Sequence, residues 1–206
     1  DITDAITLEA WVKLDGTELY PRIIAKQYSS NSTADSCYQL GARYGATGTA
    51  RFAVGGVFDI FEEPDFEDIV DGKWHHVVGT YDKTDTKMYV DGKLIYHSTA
   101  NTSAIRVNAA TNMTLGASEI TGASPNPDFF MEGLMGRASV WSVALTQTQI
   151  RDMMFKNFTD ATTTNCVAWY QFDEGTGVDV ADSTTTNDGT YNGAWAGAGT
   201  FTPGTS

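Results

Sequence analysis

The chain has 206 residues, 41% of them hydrophobic, and a formal net charge of −13 from 26 acidic and 13 basic side chains. That excess repels polyanions, so neither nucleic acid nor an anionic membrane is an expected partner, and no apolar run approaches the roughly 18–20 residues that insertion into a bilayer requires. The length suits one β-domain with a full core, and a start without initiator Met or signal peptide reads as a mature product or an excised module.

In chain order, the first element is a strand. Ile6, Leu8, Ala10, Val12 and Leu14 alternate with polar or aromatic residues and line one face, and Asp15-Gly16 turns the chain. Further strands are predicted at 22–26, 37–43, 51–54, 59–61, 112–116, 137–143 and 167–172, with Gly, Asn, Pro and Ser between them. Many short strands at regular spacing mark a sandwich or barrel.

The segment 74–81 carries two of the three histidines side by side, in Trp74-His75-His76-Val77-Val78. Successive side chains on a strand point to opposite faces. His75 and His76 therefore diverge and are read as packed, hydrogen-bonded residues, and His97 completes no zinc set. Lys87 to Val90 and Lys93 to Tyr96 flank Asp91-Gly92, the dipeptide that a two-residue type I′ hairpin demands. With the polar turn at 82–86 this makes a three-strand meander. One helix is predicted over 146–155, since Ile150, Met153 and Met154 have helical spacing. Thr146 and Gln149 form a capping box there, and Leu145 and Ile150 a hydrophobic staple.

Cys37 and Cys166 each open an apolar alternation. Either they are sheet neighbours joined by one disulfide, or they are buried free thiols. Without a CxxC motif or a Cys/His cluster, zinc and redox chemistry have no support.

Four blocks in order, Ile6 to Val12, Asp71 to Asp82, Met88 to Lys93, and Phe130 to Trp141 followed by Ala144-Leu145-Thr146 and Ile150, resemble the laminin-G-like, or concanavalin A-like, jelly-roll family that includes the pentraxins. The resemblance covers roughly residues 1–158. It implies an all-β, antiparallel β-sandwich jelly roll with one short helix near 146–155. The tail from 166 to 206 looks like opening strands of such domains placed at the end. About 40 residues are too few for another sandwich, so 1–206 is expected to be one domain that the tail completes in permuted order.

The resemblance also implies glycan and calcium binding at loops or on one sheet face. Sugar stacking needs aromatic faces, and Tyr28, Tyr44, Phe129 and Trp195 are the loop candidates. By similarity to the pentraxin pattern, calcium ligands would be Asp35, Glu119 and Asp128, with Ser118 and Ile120 standing where similar proteins carry ligands. The acids that often precede the last strand before the helix are absent from Gly133-Leu134-Met135-Gly136-Arg137. Asp182, Asn187 and Asp188 form a second oxygen-rich cluster, although Asx residues in turns commonly cap their own backbone. Glu63, Asp65 and Glu67 have the alternation of a jelly-roll glycosidase, but Pro64 and acidic flanks suit a loop instead. Sequons lie at Asn31, Asn101, Asn112 and Asn157.

The resemblance, with the acidic surface and the lack of a catalytic constellation, implies a non-catalytic carbohydrate-binding or adhesion module of a larger extracellular or virion surface protein. Its expected partners are a glycan and other modules of the same assembly. The alternative is a structural module that decorates a virion, filament or cell surface through protein contacts.

Overall fold

The computed structural model describes residues 2–27, 36–43, 48–55, 57–59, 68–109, 111–118, 129–160 and 163–191. Two antiparallel sheets face one another. The first has the order β11 (Cys166–Tyr170), β10 (Gly133–Trp141), β1 (Ile6–Leu14), β6 (Trp74–Tyr81), β7 (Thr86–Val90), β8 (Lys93–Ser98). The second runs β5 (Val57–Asp59), β4 (Thr49–Val54), β3 (Ser36–Arg43), β2 (Arg22–Gln27), β9 (Thr114–Leu115). A small hairpin pairs β12 (Asp179–Val180) with β13 (Gly189–Thr190). This is the all-β sandwich expected, and the meander β6-β7-β8 lies where the Asp91-Gly92 turn puts it. Both turn residues have positive φ, 50° and 72°, as a type I′ turn requires.

The alternating face of β1 is the core. Ile6, Leu8, Ala10, Val12 and Leu14 pack between the sheets with Leu40, Phe52, Val77 and Tyr81. Gly79 makes that contact possible. A Cβ there would lie 2.2 Å from Cδ2 of Phe52, so the ring of one sheet fills the space a side chain of the other would need.

The helix α1 (Gln147–Met153) begins as its sequence dictates: Thr146 accepts from the backbone of Gln149, whose side chain accepts from the Thr146 amide. The staple residues Leu145 and Ile150 are both buried in a second cluster with Val78, Tyr89, Trp141, Met153 and Trp169. This cluster lies on the far side of the six-stranded sheet. The helix therefore covers a face that strand alternation alone would assign to solvent.

The cysteines are not sheet neighbours. Cys37 is in β3 and Cys166 in β11, on different sheets, and both thiols are free. Of the two alternatives the sequence left open, the free thiols are the one present, Cys37 buried and Cys166 partly buried. Burial raises the Cys37 thiol and pushes Cys166 up to about 12, as expected for inert thiols in apolar surroundings. The tail contributes β11, which pairs antiparallel with β10 as an edge strand of the six-stranded sheet.

Candidate ligand-binding face

Tyr28, Tyr44, Trp195, Asp35, Glu119 and Asp128 lie outside the described residues, as do Glu63, Asp65 and Glu67. Phe129 is described, at φ 56°. Its ring lies under the guanidinium of Arg22, 4.7 Å from the centroid, and its carbonyl accepts from the Arg22 amide at 3.0 Å. This contact marks the outer face of the five-stranded sheet as a place where polar and aromatic groups meet.

Register builds that face. Tyr38, Leu40 and Ala42 of β3, with Ala50, Phe52 and Val54 of β4, point into the core, so Gln39, Gly41, Arg43, Thr49, Arg51 and Ala53 point away from it. Arg22, Gly41 and Arg51 form one cross-strand row, and Ala25, Gln39 and Ala53 the next. Arg51 stacks 4.7 Å above the Tyr20 ring, while Arg22 Nη1 donates to the Tyr20 carbonyl at 2.9 Å. Three guanidiniums and two rings thus gather at one end, above a floor of small residues. Gly41 carries no side chain because a Cβ would lie 2.5 Å from the Pro21 carbonyl.

Burial pushes Arg51 down to about 10, with Tyr20 offsetting and Arg43 adding repulsion. Gln39 is only 3% exposed, and its Oε1 has no hydrogen-bond partner among the described residues. Ser118 donates to Gln27 at 3.1 Å, so the points from which 28–35 and 119–128 depart are tied together.

Sequence reasoning named Phe129 and missed the arginines. It weighed aromatics by their loop positions, whereas Arg22, Arg43 and Arg51 come from three strands and converge only through register.

The remaining candidate residues have structural roles. Asp182 is buried and accepts from the amides of Trp169 (2.8 Å), Thr184 (3.0 Å) and Asn187 (3.0 Å), and Asp188 accepts from the Asp182 amide at 2.9 Å. The oxygen-rich cluster is a capped turn. No His/Cys/Asp/Glu group suited to a metal occurs among the described residues. Asn101, a sequon residue, is 2% exposed and donates to the Val54 carbonyl, which leaves it no room for a glycan.

His75 and His76 point to opposite sides. His75 Nδ1 is 2.9 Å from Asp91 and its Nε2 is 3.1 Å from Asp71. The hydrogen bond to Asp91 leads in raising its pKa, against an opposing cost of burial. His76, fully buried on the helix side, lies 2.7 Å from Glu9 Oε1. Arg137 and Ser139 also donate to Glu9. Burial alone would raise the Glu9 carboxyl, but Arg137, His76 and Ser139 hold it well below the usual carboxylate range. Arg137 donates onward to the Lys156 carbonyl at 2.7 Å and the Met154 carbonyl at 3.3 Å, and stacks on Trp169 at 4.7 Å. These contacts anchor the helix end to the sheet.

The fold and these motifs define a class. Residues 1–151 match the laminin G family model described as the concanavalin A-like lectin/glucanases superfamily. The chain belongs to that superfamily. Among solved structures it is similar to a candidate carbohydrate-binding protein from Bacteroides ovatus, with a TM-score of 0.68 and 22% identity over 94% of this chain and 53% of that one. The heptameric SAP-like pentraxin of Limulus polyphemus aligns with a TM-score of 0.55 and 16% identity, over 74% of this chain and 72% of that one. The sialidase carbohydrate-binding module CBM40 of Ruminococcus gnavus, solved with α2,6-sialyllactose, aligns at 0.51 and 12%, over 73% and 83%. At these identities the likeness is one of fold. The chain spans about half the length of the Bacteroides ovatus protein. A search of the curated proteins gives no match. Among the described residues, no helix is long and apolar enough to cross a membrane.

Proposed function

We propose that this chain is a non-catalytic carbohydrate-binding module of a larger extracellular or virion surface protein, and that it engages glycan on the outer face of the five-stranded sheet. One observation carries the reading: the row Arg22-Gly41-Arg51, its guanidiniums stacked on Phe129 and Tyr20, beside a buried Gln39 acceptor. Sugar recognition needs ring faces for C–H groups and fixed polar groups for hydroxyls; Tyr20 and Phe129 are rings with one face under a guanidinium, and the arginines are fixed polar groups beside them. Calcium held by Asp35, Glu119 and Asp128 forms the second part of the proposal, supported by the Gln27–Ser118 tie between the flanks of their segments.

The test is a glycan-array screen in millimolar calcium and again in chelator, with Tyr20→Ala beside the parent. Glycans retained by the parent and lost by Tyr20→Ala support the reading, and hits that vanish in chelator support the metal. A blank in both conditions shifts the weight to a protein-contact module. One observation favours that second reading: Phe155 is 56% exposed, its ring tilted against that of Trp11 in the six-stranded sheet.

A further inference from the structure

Resting on the surface-protein part of that reading, we propose that Asn157 is the acceptor of an N-linked glycan and that the first sugar attached to it lies against the exposed ring of Phe155. The fold separates the four sequons. Asn31 lies outside the described residues, and Asn101 is buried. Asn112 and Asn157 are both exposed. In the sequon of Asn112, however, the Thr114 hydroxyl is engaged inside the sheet, 3.2 Å from the Ala25 carbonyl and 2.7 Å from that of Ala117. Thr159, the hydroxyl residue that completes the sequon Asn157-Phe158-Thr159, is exposed.

The turn that carries Asn157 is held from beneath. The Lys156 amide donates to the Met153 carbonyl at 2.9 Å, and the Lys156 carbonyl accepts from Arg137 at 2.7 Å. Phe158, which opens the short 3-10 turn Phe158–Asp160, sets its ring edge-on to Trp169 at 5.8 Å. With these groups anchored inward, every second residue, Phe155, Asn157 and Thr159, is exposed. Phe155 sets this sequon apart. Trp11 supports its ring, 5.8 Å between centroids, yet the residue is 56% exposed. Its Cα lies at most about 7 Å from that of Asn157, so a sugar on the Asn157 amide and the ring are within reach of one another. Sugar C–H faces pack on aromatic rings, and the contact would remove apolar surface from water. The residue two before the asparagine is Ser29, Thr99 and Ala110 in the other three sequons, so none of them has a ring there. In the transfer, Nδ2 of Asn157 attacks C1 of an oligosaccharide carried on a polyprenyl diphosphate, with an oligosaccharyltransferase as catalyst. The N–C1 bond forms, the bond from C1 to the diphosphate oxygen breaks, the lipid diphosphate leaves with the electron pair, and the amide gives up one proton to solvent.

The experiment secretes the full chain from cultured eukaryotic cells and maps its peptides by mass. Hexosamine on the Asn157 peptide in most chains is expected, and a bare Asn157 would overturn the proposal. The contact with Phe155 is read from melting temperatures. Each chain, with Asn31→Gln and Asn112→Gln so that Asn157 is the exposed acceptor compared, is made once in the secreting cell and once in a bacterial cytosol that lacks the transferase. The difference between the two preparations is the effect of the glycan, and any cost of a substitution to the fold cancels in it. With Phe155 in place the glycan should raise the melting temperature by about 2–4 °C. Trimming with an endoglycosidase that leaves only the first sugar should keep that gain, as should Phe155→Tyr, whereas Phe155→Ala should abolish it. An equal gain in Phe155→Ala, or its loss on trimming, would overturn the stacking of the first sugar. This outcome is separate from the glycan array: a chain modified at Asn157 that binds no glycan would sink the carbohydrate-binding reading and leave this site standing.

Discussion

Glu9 is the residue on which the charge balance of the interior turns. It is 2% exposed, and one of its partners, Arg137, lies 128 positions away in sequence. Taking Arg137 away would strand a buried carboxylate, and breaking such a pair typically costs about 3–5 kcal/mol. Arg137→Met should therefore lower the urea-unfolding free energy by about that amount, and adding Glu9→Gln should recover part of it. His75 makes the opposite kind of pair, near the surface. Its folded pKa is raised, with Asp91 as the leading cause and Asp71 assisting. That contribution is fully present below the unfolded value of about 6.5 and is lost as pH rises through the folded value. Asp91 is lowered, with burial opposing and His75 driving, and Asp71 sits down at about 2, chiefly through Lys73. Their share is present above about 3.8 and lost as pH falls through their folded values. Between the carboxylate and imidazole ranges all three contribute. The gap in melting temperature between the parent and His75→Gln should be larger at about pH 5 than at about pH 8.

At the scale of elements, the sheets meet through particular pairs. Gly79 of β6 leaves the room that Phe52 of β4 occupies. Gly79→Val should overpack that contact and cost about 1–3 kcal/mol, which chemical denaturation would read, and Phe52→Ala in the same chain should relieve the clash while opening a void. Much at this scale was legible in the sequence. Period-two alternation in Ile6 to Leu14, Asp-Gly at 91–92 and the Thr146–Gln149 box are local signals, each set by a few neighbouring dihedrals, and each element stands where they put it. The arginine row was not legible, since it depends on register between β2, β3 and β4, a long-range property. Which surface buries His76 was not legible for a related reason. Strand alternation assigns a direction, but whether that direction meets water depends on where α1 docks. Local rules also left the cysteines undecided, and only the strand order puts them on different sheets.

For the molecule as a whole, the six-stranded sheet has two insides. One side packs against the five-stranded sheet and the other against α1 with Trp141 and Trp169. A helix of seven residues ordinarily opens and closes easily, since so few turns give little stability on their own. Here the carbonyls of Met154, its C-cap, and of Lys156 just beyond accept from Trp11 Nε1 (2.8 Å) and Arg137 Nη1 (2.7 Å), and Arg137 also holds the carboxylate of Glu9 at the centre of the sheet. Lifting the helix would thus disturb the arginine that pairs with Glu9, so its movements are bound to those of β1 and β10. In native-state hydrogen exchange, the amide of Met154, which bonds back to Ile150, should exchange as slowly as the central amides of β1 and share their dependence on denaturant. Fast exchange confined to α1 would mean that the helix opens by itself. Slow, shared exchange would make this short helix a reporter of global unfolding.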